Sequence, residues 1–408
     1  MIINPFIHGF TGETGFPDIP DDNATFDDDG GATTGWTASN ATLSVTSGYL
    51  RETKGPTAGS SSSMTKSITF TGTDLDYIIY GTARCSVGTT HIGVIWILNG
   101  SKEVSIWFGS TAANSSTYSD GAVSICGTTG ASTRNVVQVA SGMAYNTTAI
   151  TFALQFDKKF STLNCFFFES GVWVYKGRVA CDWFSSADIA VLNTSNSPNG
   201  AWVEFDRLAV CRPNMMSIGD GICGGGTGFN PDRTAGLSNH LSTWYAYSTL
   251  YPALLNTLII NKGVGSNSSA NIASRIVADA VDHQPRLIFV HCSSNDESLA
   301  VSQASRTASI QDCVDEVNGG GAACILLNAM YGTEAGADNT PTDDLHDYML
   351  DWWDNYRTSV TGIALSIDIM QAVEDIDGFQ DPAITQADGI HPTTVGYEAI
   401  GDYISAAA

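Results

Sequence analysis

Short β-branched and aromatic runs alternate with turn residues (Gly, Ser, Thr and Asn) between about residues 31 and 210. Helical periodicity is almost absent from this stretch, and clear strand patterns occur at 91–98, 103–108, 151–156 and 201–210. Many short strands with turn signals between them are typical of an all-β sandwich. We therefore predict a β-sandwich domain over residues 31–211.

The pattern changes after about residue 212, where apolar runs alternate with longer, helix-like stretches. Strands are predicted at 214–219, 257–261, 286–291, 322–328 and 362–368, and helices near 234–250, 268–281, 298–317, 342–359 and 395–406. Strands that alternate with helices imply a parallel sheet with right-handed crossovers. Near-continuous apolar strands fit a sheet that is buried on both faces. The sequence thus predicts a second, α/β domain over residues 212–408.

Residues 1–30 form a third region, rich in Gly, Pro and Asp, which we interpret as an N-terminal attachment segment. It ends in the acidic run Asp27-Asp28-Asp29-Gly30. Clustered carboxylates suit a hard cation such as Ca²⁺, but the spacing does not match an EF-hand and also fits a solvated acidic turn. We expect no metal ion and no other cofactor.

Charge and composition limit the partners. The formal net charge is -24, with only 18 Lys plus Arg, which argues against nucleic acid or an anionic membrane as a partner. There is no apolar run of the roughly 18 residues that a transmembrane helix needs. The start of the chain lacks a basic segment and a signal-like apolar core. The nine cysteines lie mostly in apolar surroundings, as expected of reduced core residues in a protein assembled in the cytoplasm.

Candidate chemistry appears late in the chain, at Asp388-Gly389-Ile390-His391-Pro392. An Asp three residues before a His can hold one ring nitrogen and fix the tautomer, while the other nitrogen faces a substrate. The alternative interpretation is a loop Asp that caps a helix starting near Thr394, beside a surface His. The pair gains weight only together with other motifs.

Three such motifs precede it in a fixed order, each at the end of a predicted strand: 214–222, 261–269 and 286–296. Together with 388–391 they resemble the four blocks of the SGNH (GDSL) hydrolase family, namely G-D-S, N-x-G-x-x-G, G-x-N-D and D-x-x-H. The resemblance covers roughly residues 212–408 and implies a flavodoxin-like three-layer α/β fold. Open α/β sheets bind ligands at the carboxyl edge, where these motifs would lie.

The resemblance implies a role for each matching residue. His391 would be the base, and Asp388 would orient it. The nucleophilic Ser of the family is missing, because Gly221 occupies its position after Asp220. Loss of this Ser typically costs on the order of 10⁶ in turnover.

The oxyanion hole implied by the family would use the backbone N–H groups of Gly221 and Ser266 and the side-chain amide of Asn295. Ser266 stands where the family has Gly, and Gly265 and Asp220 flank these donors as further substrate-binding candidates. In the third block a Ser, at position 293, replaces a Gly.

Three interpretations of Gly221 remain open. The glycine could be a deliberate inactivating substitution, or it could mark a natural pseudoenzyme that kept the pocket for binding. In the third, the enzyme is active because His391 activates water directly, or because Ser217 or Cys223 replaces the missing nucleophile. Ser217 falls inside a predicted strand and Cys223 in the first helical turn, where a packing role is the simpler explanation.

The first domain resembles, loosely, the jelly-roll modules of lectins and carbohydrate-binding proteins, through its opening Thr34-Gly35-Trp36 and its closing strand at 205–208. A β-sandwich followed by an SGNH-like domain also resembles the layout of phage tail fibres and tail spikes. That layout implies a homotrimer in an extracellular virion tail, with other virion proteins and a bacterial surface polysaccharide as partners.

Two functional hypotheses follow. The first is a carbohydrate esterase of the O-deacetylase class, inactive as written because of Gly221. The second is a non-catalytic glycan-binding adhesin or structural tail protein. Asp388, His391 and Asn295 favour the first, whereas Gly221 favours the second.

Overall fold

The structure is a computed structural model of the 408-residue chain. It describes residues 24–28, 30–57, 60–69, 76–86, 92–99, 102–110, 118–130, 133–145, 147–158, 161–169, 172–182, 186–193, 199–224, 259–330, 344–375, 380–393, 395–397, 399–400 and 403. The chain folds into two compact units and passes from one to the other between Arg212 and Pro213.

The unit before Pro213 is built from antiparallel strands. In chain order these are β1 Ala24–Asp28, β2 Thr37–Ser39, β3 Ala41–Thr46, β4 Tyr49–Lys54, β5 Ser62–Thr69, β6 Tyr77–Cys85, β7 Ile92–Asn99, β8 Lys102–Ser110, β9 Tyr118–Thr129, β10 Thr133–Ala140, β11 Ile150–Asp157, β12 Thr162–Glu169, β13 Val172–Ala180, β14 Ser186–Asn193 and β15 Trp202–Cys211.

Among the described residues these strands form two sheets. One has the order β13-β12-β11-β6-β15-β4-β3, with β1 also paired to β15, and the other has the order β10-β9-β8-β7-β14-β5-β2. In β11, Ile150, Phe152, Leu154 and Phe156 alternate with the remaining residues and enter the hydrophobic core. Strands of both sheets contribute side chains to this one cluster, which explains the period-two pattern of the sequence.

Strand β1 differs from the expected separate segment at residues 1–30. Its residues pair with β15, from Ala24 opposite Cys211 to Asp28 opposite Leu208. Gly30 then has a φ of +67°, and a Cβ there would lie 2.6 Å from the carbonyl oxygen of Phe205. Residues 1–23 lie outside the described residues. Within the described part of the chain, no group of three or more His, Cys, Asp or Glu residues is placed to hold a metal ion.

The unit from Pro213 onward is an α/β unit with one parallel sheet in its described residues. Its strands are β16 Met215–Gly219, β17 Ile259–Gly263, β18 Leu287–His291, β19 Ala323–Leu327 and β20 Leu365–Ile367. They lie in the order β17-β16-β18-β19-β20, and all pairs are parallel. Every residue of β16 and β18 is buried, as expected of a parallel sheet covered on both faces. The predicted parallel α/β sheet is confirmed.

The α-helices with described bounds in this unit are α1 Gly221–Gly224, α2 Ser269–Asp279, α3 Asn295–Ser298, α4 Gln303–Gly319 and α5 Asp344–Asp351. The helix predicted at 342–359 changes character, because α5 continues as a π-helix over Trp352–Tyr356 and a 3₁₀ turn over Arg357–Ser359. The helix predicted near 234–250 lies outside the described residues. Of the last predicted helix, residues 395–397, 399–400 and 403 are described, and they are helical.

All nine cysteines are buried, and none is joined in a disulfide. No described helix combines the length and the apolar character needed to span a membrane.

Candidate active site

The turn that follows β16 carries the first motif, and Asp220 is its structural centre. Its Oδ1 accepts the backbone N–H of Ile222 at 3.0 Å and so caps the start of α1. Its Oδ2 accepts the backbone N–H of Ser294 at 2.7 Å, which ties the end of β16 to the third motif. Both oxygens of this buried carboxylate are therefore engaged by protein N–H groups.

Gly221, at the position of the missing nucleophile, is the first residue of α1 and is buried. The two side chains that could replace it are also fully buried, Ser217 within β16 and Cys223 within α1. Burial, reinforced by the nearby charge of Asp220, raises the pKa of the Cys223 thiol. A neutral, buried thiol is inert because the thiolate is the nucleophile. The interpretation in which Ser217 or Cys223 attacks the substrate finds no support in this geometry.

The second motif forms a tight loop after β17. Ser266, at the position where the resemblance expects Gly, has a φ of +61°, the left-handed conformation that Gly adopts without strain. The backbone N–H of Val264 donates to the carbonyl oxygen of Gly219 at 3.0 Å and holds this loop against β16. At Gly263 a Cβ would lie 2.2 Å from the backbone nitrogen of Gly224, so the loop and α1 approach closely. Gly265 lies in the same turn, half-buried.

The third motif meets the second after β18. The Ser293 hydroxyl donates to the carbonyl oxygen of Asn267 at 2.5 Å. The amide of Asn295 donates to the same carbonyl at 3.1 Å, and its Nδ2 lies 3.5 Å from Oδ2 of Asp220, at the outer limit of a hydrogen bond. The structure therefore brings Asn295 beside Asp220 and the second loop, at the carboxyl edge of the sheet.

His291 is a site residue that sequence reasoning missed. It ends β18, is buried, and its Nδ1 lies 3.2 Å from the carbonyl oxygen of Cys292 and 3.9 Å from Oδ1 of Asp220. Burial lowers the pKa of His291, opposed by the charge of Asp220 and the contact with Cys292. The only signal in the sequence was its place at a strand end, directly before the third motif.

The fourth motif forms the predicted Asp–His pair. Oδ2 of Asp388 lies 2.8 Å from Nδ1 of His391, and Oδ1 accepts the backbone N–H groups of Ile390 and His391, each at 3.0 Å. Burial opposes ionisation of Asp388, but these hydrogen bonds outweigh it and lower the pKa of the carboxyl. Thr393, rather than Asp388, accepts a hydrogen bond from the last helix, from the N–H of Gly396 at 3.4 Å. Among the described residues, the hydrogen bonds of Asp388 go to its own turn, at Ile390 and His391, and not to the last helix.

Tyr397 connects the fourth motif to the first. Its hydroxyl donates to the carbonyl oxygen of Ile222 in α1 at 2.9 Å, although 175 positions separate the two residues. Burial, together with the charges of Asp220 and Asp388, raises the pKa of this phenol. The loop that carries His391 is thus fixed to the helix that begins at Gly221.

Comparisons with known proteins gave matches among solved structures. No protein-family model matches the sequence. No curated protein matches it either. A lipolytic protein of the G-D-S-L family from Desulfitobacterium hafniense is 18% identical, over 48% of this chain and 98% of that chain, with a TM-score of 0.38. A GDSL-like lipase from Bacteroides thetaiotaomicron is 14% identical, over 47% and 86%, with a TM-score of 0.36. A catalytic mutant of an acetylxylan esterase from Geobacillus stearothermophilus is 18% identical, over 46% and 90%, also with a TM-score of 0.36. Each likeness covers about half of this chain.

Proposed function

We propose that the unit from Pro213 onward is an SGNH-type carbohydrate-ester site, silent toward esters because Gly221 stands in place of the nucleophile. The observation that carries the proposal is the Asp388–His391 pair, with 2.8 Å between the carboxylate and the ring nitrogen. A base oriented in this way is what a hydroxyl nucleophile requires.

The chemistry that the site would perform follows from its groups. A hydroxyl at position 221 would attack the ester carbonyl carbon while Nε2 of His391 takes its proton. The negative charge on the carbonyl oxygen would be met by the backbone N–H groups of residues 221 and 266 and by the amide of Asn295, a kind of contact worth about 10²–10³ in rate. His391 would return the proton to the leaving alcohol, and water would then release the acyl group.

Three residues explain why we expect the native chain to be inactive toward esters. Gly221 has no side chain, and Ser217 and Cys223 are buried. Without the hydroxyl, we expect turnover to fall by a factor on the order of 10⁶ relative to a chain that has it.

The second candidate function is glycan binding without turnover, and Gly221 itself favours it. If the protein binds glycan without turnover, the site around Asp388 and His391 recognises an acylated glycan. The two antiparallel sheets form a jelly-roll-like sandwich that helps to position the glycan. We extend the proposal to a trimeric virion tail protein that contacts a bacterial surface polysaccharide. The net charge of -24 supports a target that is neutral or cationic rather than nucleic acid.

The experiment is hydrolysis of p-nitrophenyl acetate by the native chain, Gly221→Ser and Gly221→Ala, with Gly221→Ser/His391→Ala as the test of the base. Gly221→Ala is the matched control because it adds a Cβ without a hydroxyl. We expect turnover from Gly221→Ser only, abolished when His391 is also replaced.

If Gly221→Ser is inert on this ester and on acetylated polysaccharides, the esterase proposal fails. Binding of the native chain to acetylated but not deacetylated polysaccharide would then favour the second candidate.

A further inference from the structure

The guanidinium of Arg275, on α2, holds the carboxyl ends of two neighbouring strands. Its Nη2 donates to the carbonyl oxygen of Gly219 at the end of β16, at 2.7 Å. Its Nη1 donates to the carbonyl oxygen of Lys262 in β17, also at 2.7 Å. The Arg275 side chain is 15% exposed, so water competes little for these bonds. Both acceptors belong to motifs of the candidate site, Gly219 to the first and Lys262 to the second.

The same guanidinium also reaches the second loop itself. Its Nε donates to Oδ1 of Asn267 at 2.8 Å, and Nη1 contacts Oδ2 of Asp279, one turn further along α2, at 2.8 Å. Four acceptors around one planar group fix its orientation, because the donors of an Arg lie in a rigid fork. A Lys at this position would supply one compact charge instead of the fork.

Asn267 passes this constraint on to the third motif. While its side chain is held by Arg275, its backbone carbonyl oxygen accepts the Ser293 hydroxyl at 2.5 Å and the amide of Asn295 at 3.1 Å. The turn between Val264 and Asn267 contains Ser266 in its left-handed conformation. The Arg275 side chain therefore supports two groups assigned to the oxyanion hole, the N–H of Ser266 and the amide of Asn295.

We infer that Arg275 is the positioning residue of the loop 264–267 and, through Asn267, of Asn295. It touches no reacting atom and acts by fixing where the N–H of Ser266 and the amide of Asn295 point. The consequence for turnover rests on the proposed function, whereas the consequence for loop order does not.

The first test is amide hydrogen exchange on the otherwise native chain. Arg275→Ala should speed exchange at least tenfold in residues 264–267 and 293–295, and leave β19 unchanged. Asn267→Ala removes the link to the loop but keeps the bonds of Arg275 to Gly219, Lys262 and Asp279, so it covers the case in which Arg275→Ala fails to fold. Val277→Ala is the matched control, because this side chain is exposed on the same helix. The inference is overturned if loop exchange stays at the native rate in the variants that fold.

The second test uses the Gly221→Ser background. Arg275→Ala and Asn267→Ala should each lower kcat by about 10- to 100-fold with KM nearly unchanged, since small displacements of catalytic donors cost this much. Arg275→Lys should recover part of the loss, and Val277→Ala should lose nothing. If the loop loosens but kcat does not fall, the loop does not carry the oxyanion donors. If Gly221→Ser itself is inert, the proposed function fails, and the exchange measurement alone decides the role of Arg275.

Discussion

The Nδ1 atom of His391 lies 2.8 Å from Oδ2 of Asp388, and the other oxygen of this carboxylate accepts the backbone N–H groups of Ile390 and His391. The carboxylate is therefore fixed by its own turn before it meets the ring. A ring held on one nitrogen presents the other in a defined direction, which is the property required of a general base.

The hydrogen bonds of Asp388 should make the unfolding free energy of the protein depend on pH. Its hydrogen bonds hold the pKa of Asp388 below the ordinary value of 3.8, despite the opposing effect of burial. A lowered pKa stabilises the folded chain fully above the unfolded value and loses this effect as the pH falls through the folded value. We expect the gap in unfolding free energy between the native chain and Asp388→Asn to shrink as the pH falls below about 4. Urea unfolding from pH 7 to pH 3 measures it, and a gap at pH 3 as large as the gap at pH 7 would contradict the assignment.

The close approach of the second loop to α1 should make any side chain at Gly263 destabilising. An added Cβ would meet backbone atoms, the nitrogen of Gly224 at 2.2 Å and the carbonyl carbon of Cys223 at 2.5 Å, so no side-chain rotation relieves the contact. Gly263→Ala should lower the unfolding free energy by about 1–3 kcal/mol. The control is Gly319→Ala in α4, where nothing lies within 4 Å of the new Cβ and a gain of about 0.5–1 kcal/mol is expected. Equal effects of the two changes would refute the close approach.

Arg306 should behave as one half of a buried ion pair. Its Nε lies 3.5 Å from Oδ2 of Asp296, both side chains are fully buried, and the guanidinium lies 4.7 Å from the ring centre of Trp352. Burial raises the pKa of Asp296, partly offset by Arg306. Arg306→Met leaves the buried carboxyl of Asp296 without its cation, so we expect the unfolding free energy to fall by about 3–5 kcal/mol at pH 7.

The paired control for Arg306 is the double variant Arg306→Met/Asp296→Asn. It should recover part of the stability, because the isolated charge is removed while an acceptor remains for the N–H of Ser269, which now donates to Asp296 at 2.9 Å. Asp296→Asn alone completes the cycle. If the losses in unfolding free energy of the two single variants add up to that of the double variant, the two side chains do not interact.

The left-handed backbone of Ser266 should lower the unfolding free energy of the protein. Because Ser266 has a φ of +61° and an exposed side chain, replacement by glycine relieves the left-handed strain and removes few contacts, and this relief outweighs the greater freedom of glycine in the unfolded chain. We expect Ser266→Gly to raise the unfolding free energy by about 0.5–1 kcal/mol. Gln284→Gly, at a φ of 54° and in a different turn, is the reference for the same backbone effect. A loss of stability at Ser266 beside a gain at Gln284 would show that the Ser side chain has a role of its own.

The sequence was informative where local pattern and buried surface coincide. Strands β16 and β18 are buried throughout, and their near-continuous apolar runs identified them. The pairing of residues 24–28 with β15 was not predictable, because it depends on a partner far along the chain. The π-helix at Trp352–Tyr356 interrupts a helical pattern that looks continuous in the sequence.

The site divides in the same way. Asp388 and His391 are three residues apart, so their pairing follows from a local turn and could be predicted. Arg275 acts on carbonyl oxygens of two other strands, and only the sheet order β17-β16-β18 places those atoms around it. His291 likewise acquires its acidic neighbour only when β18 lies beside β16.

The hydrogen bond from Tyr397 to Ile222 can form only late in synthesis, because its two residues lie far apart in the chain. Translation delivers the turn at Gly221 long before it delivers the segment that contains His391, and 175 positions separate the two bonded residues. Until that last segment leaves the ribosome, the nascent unit lacks His391, the proposed base. A polypeptide released early would therefore be unable to complete this pocket, whichever residue stands at position 221.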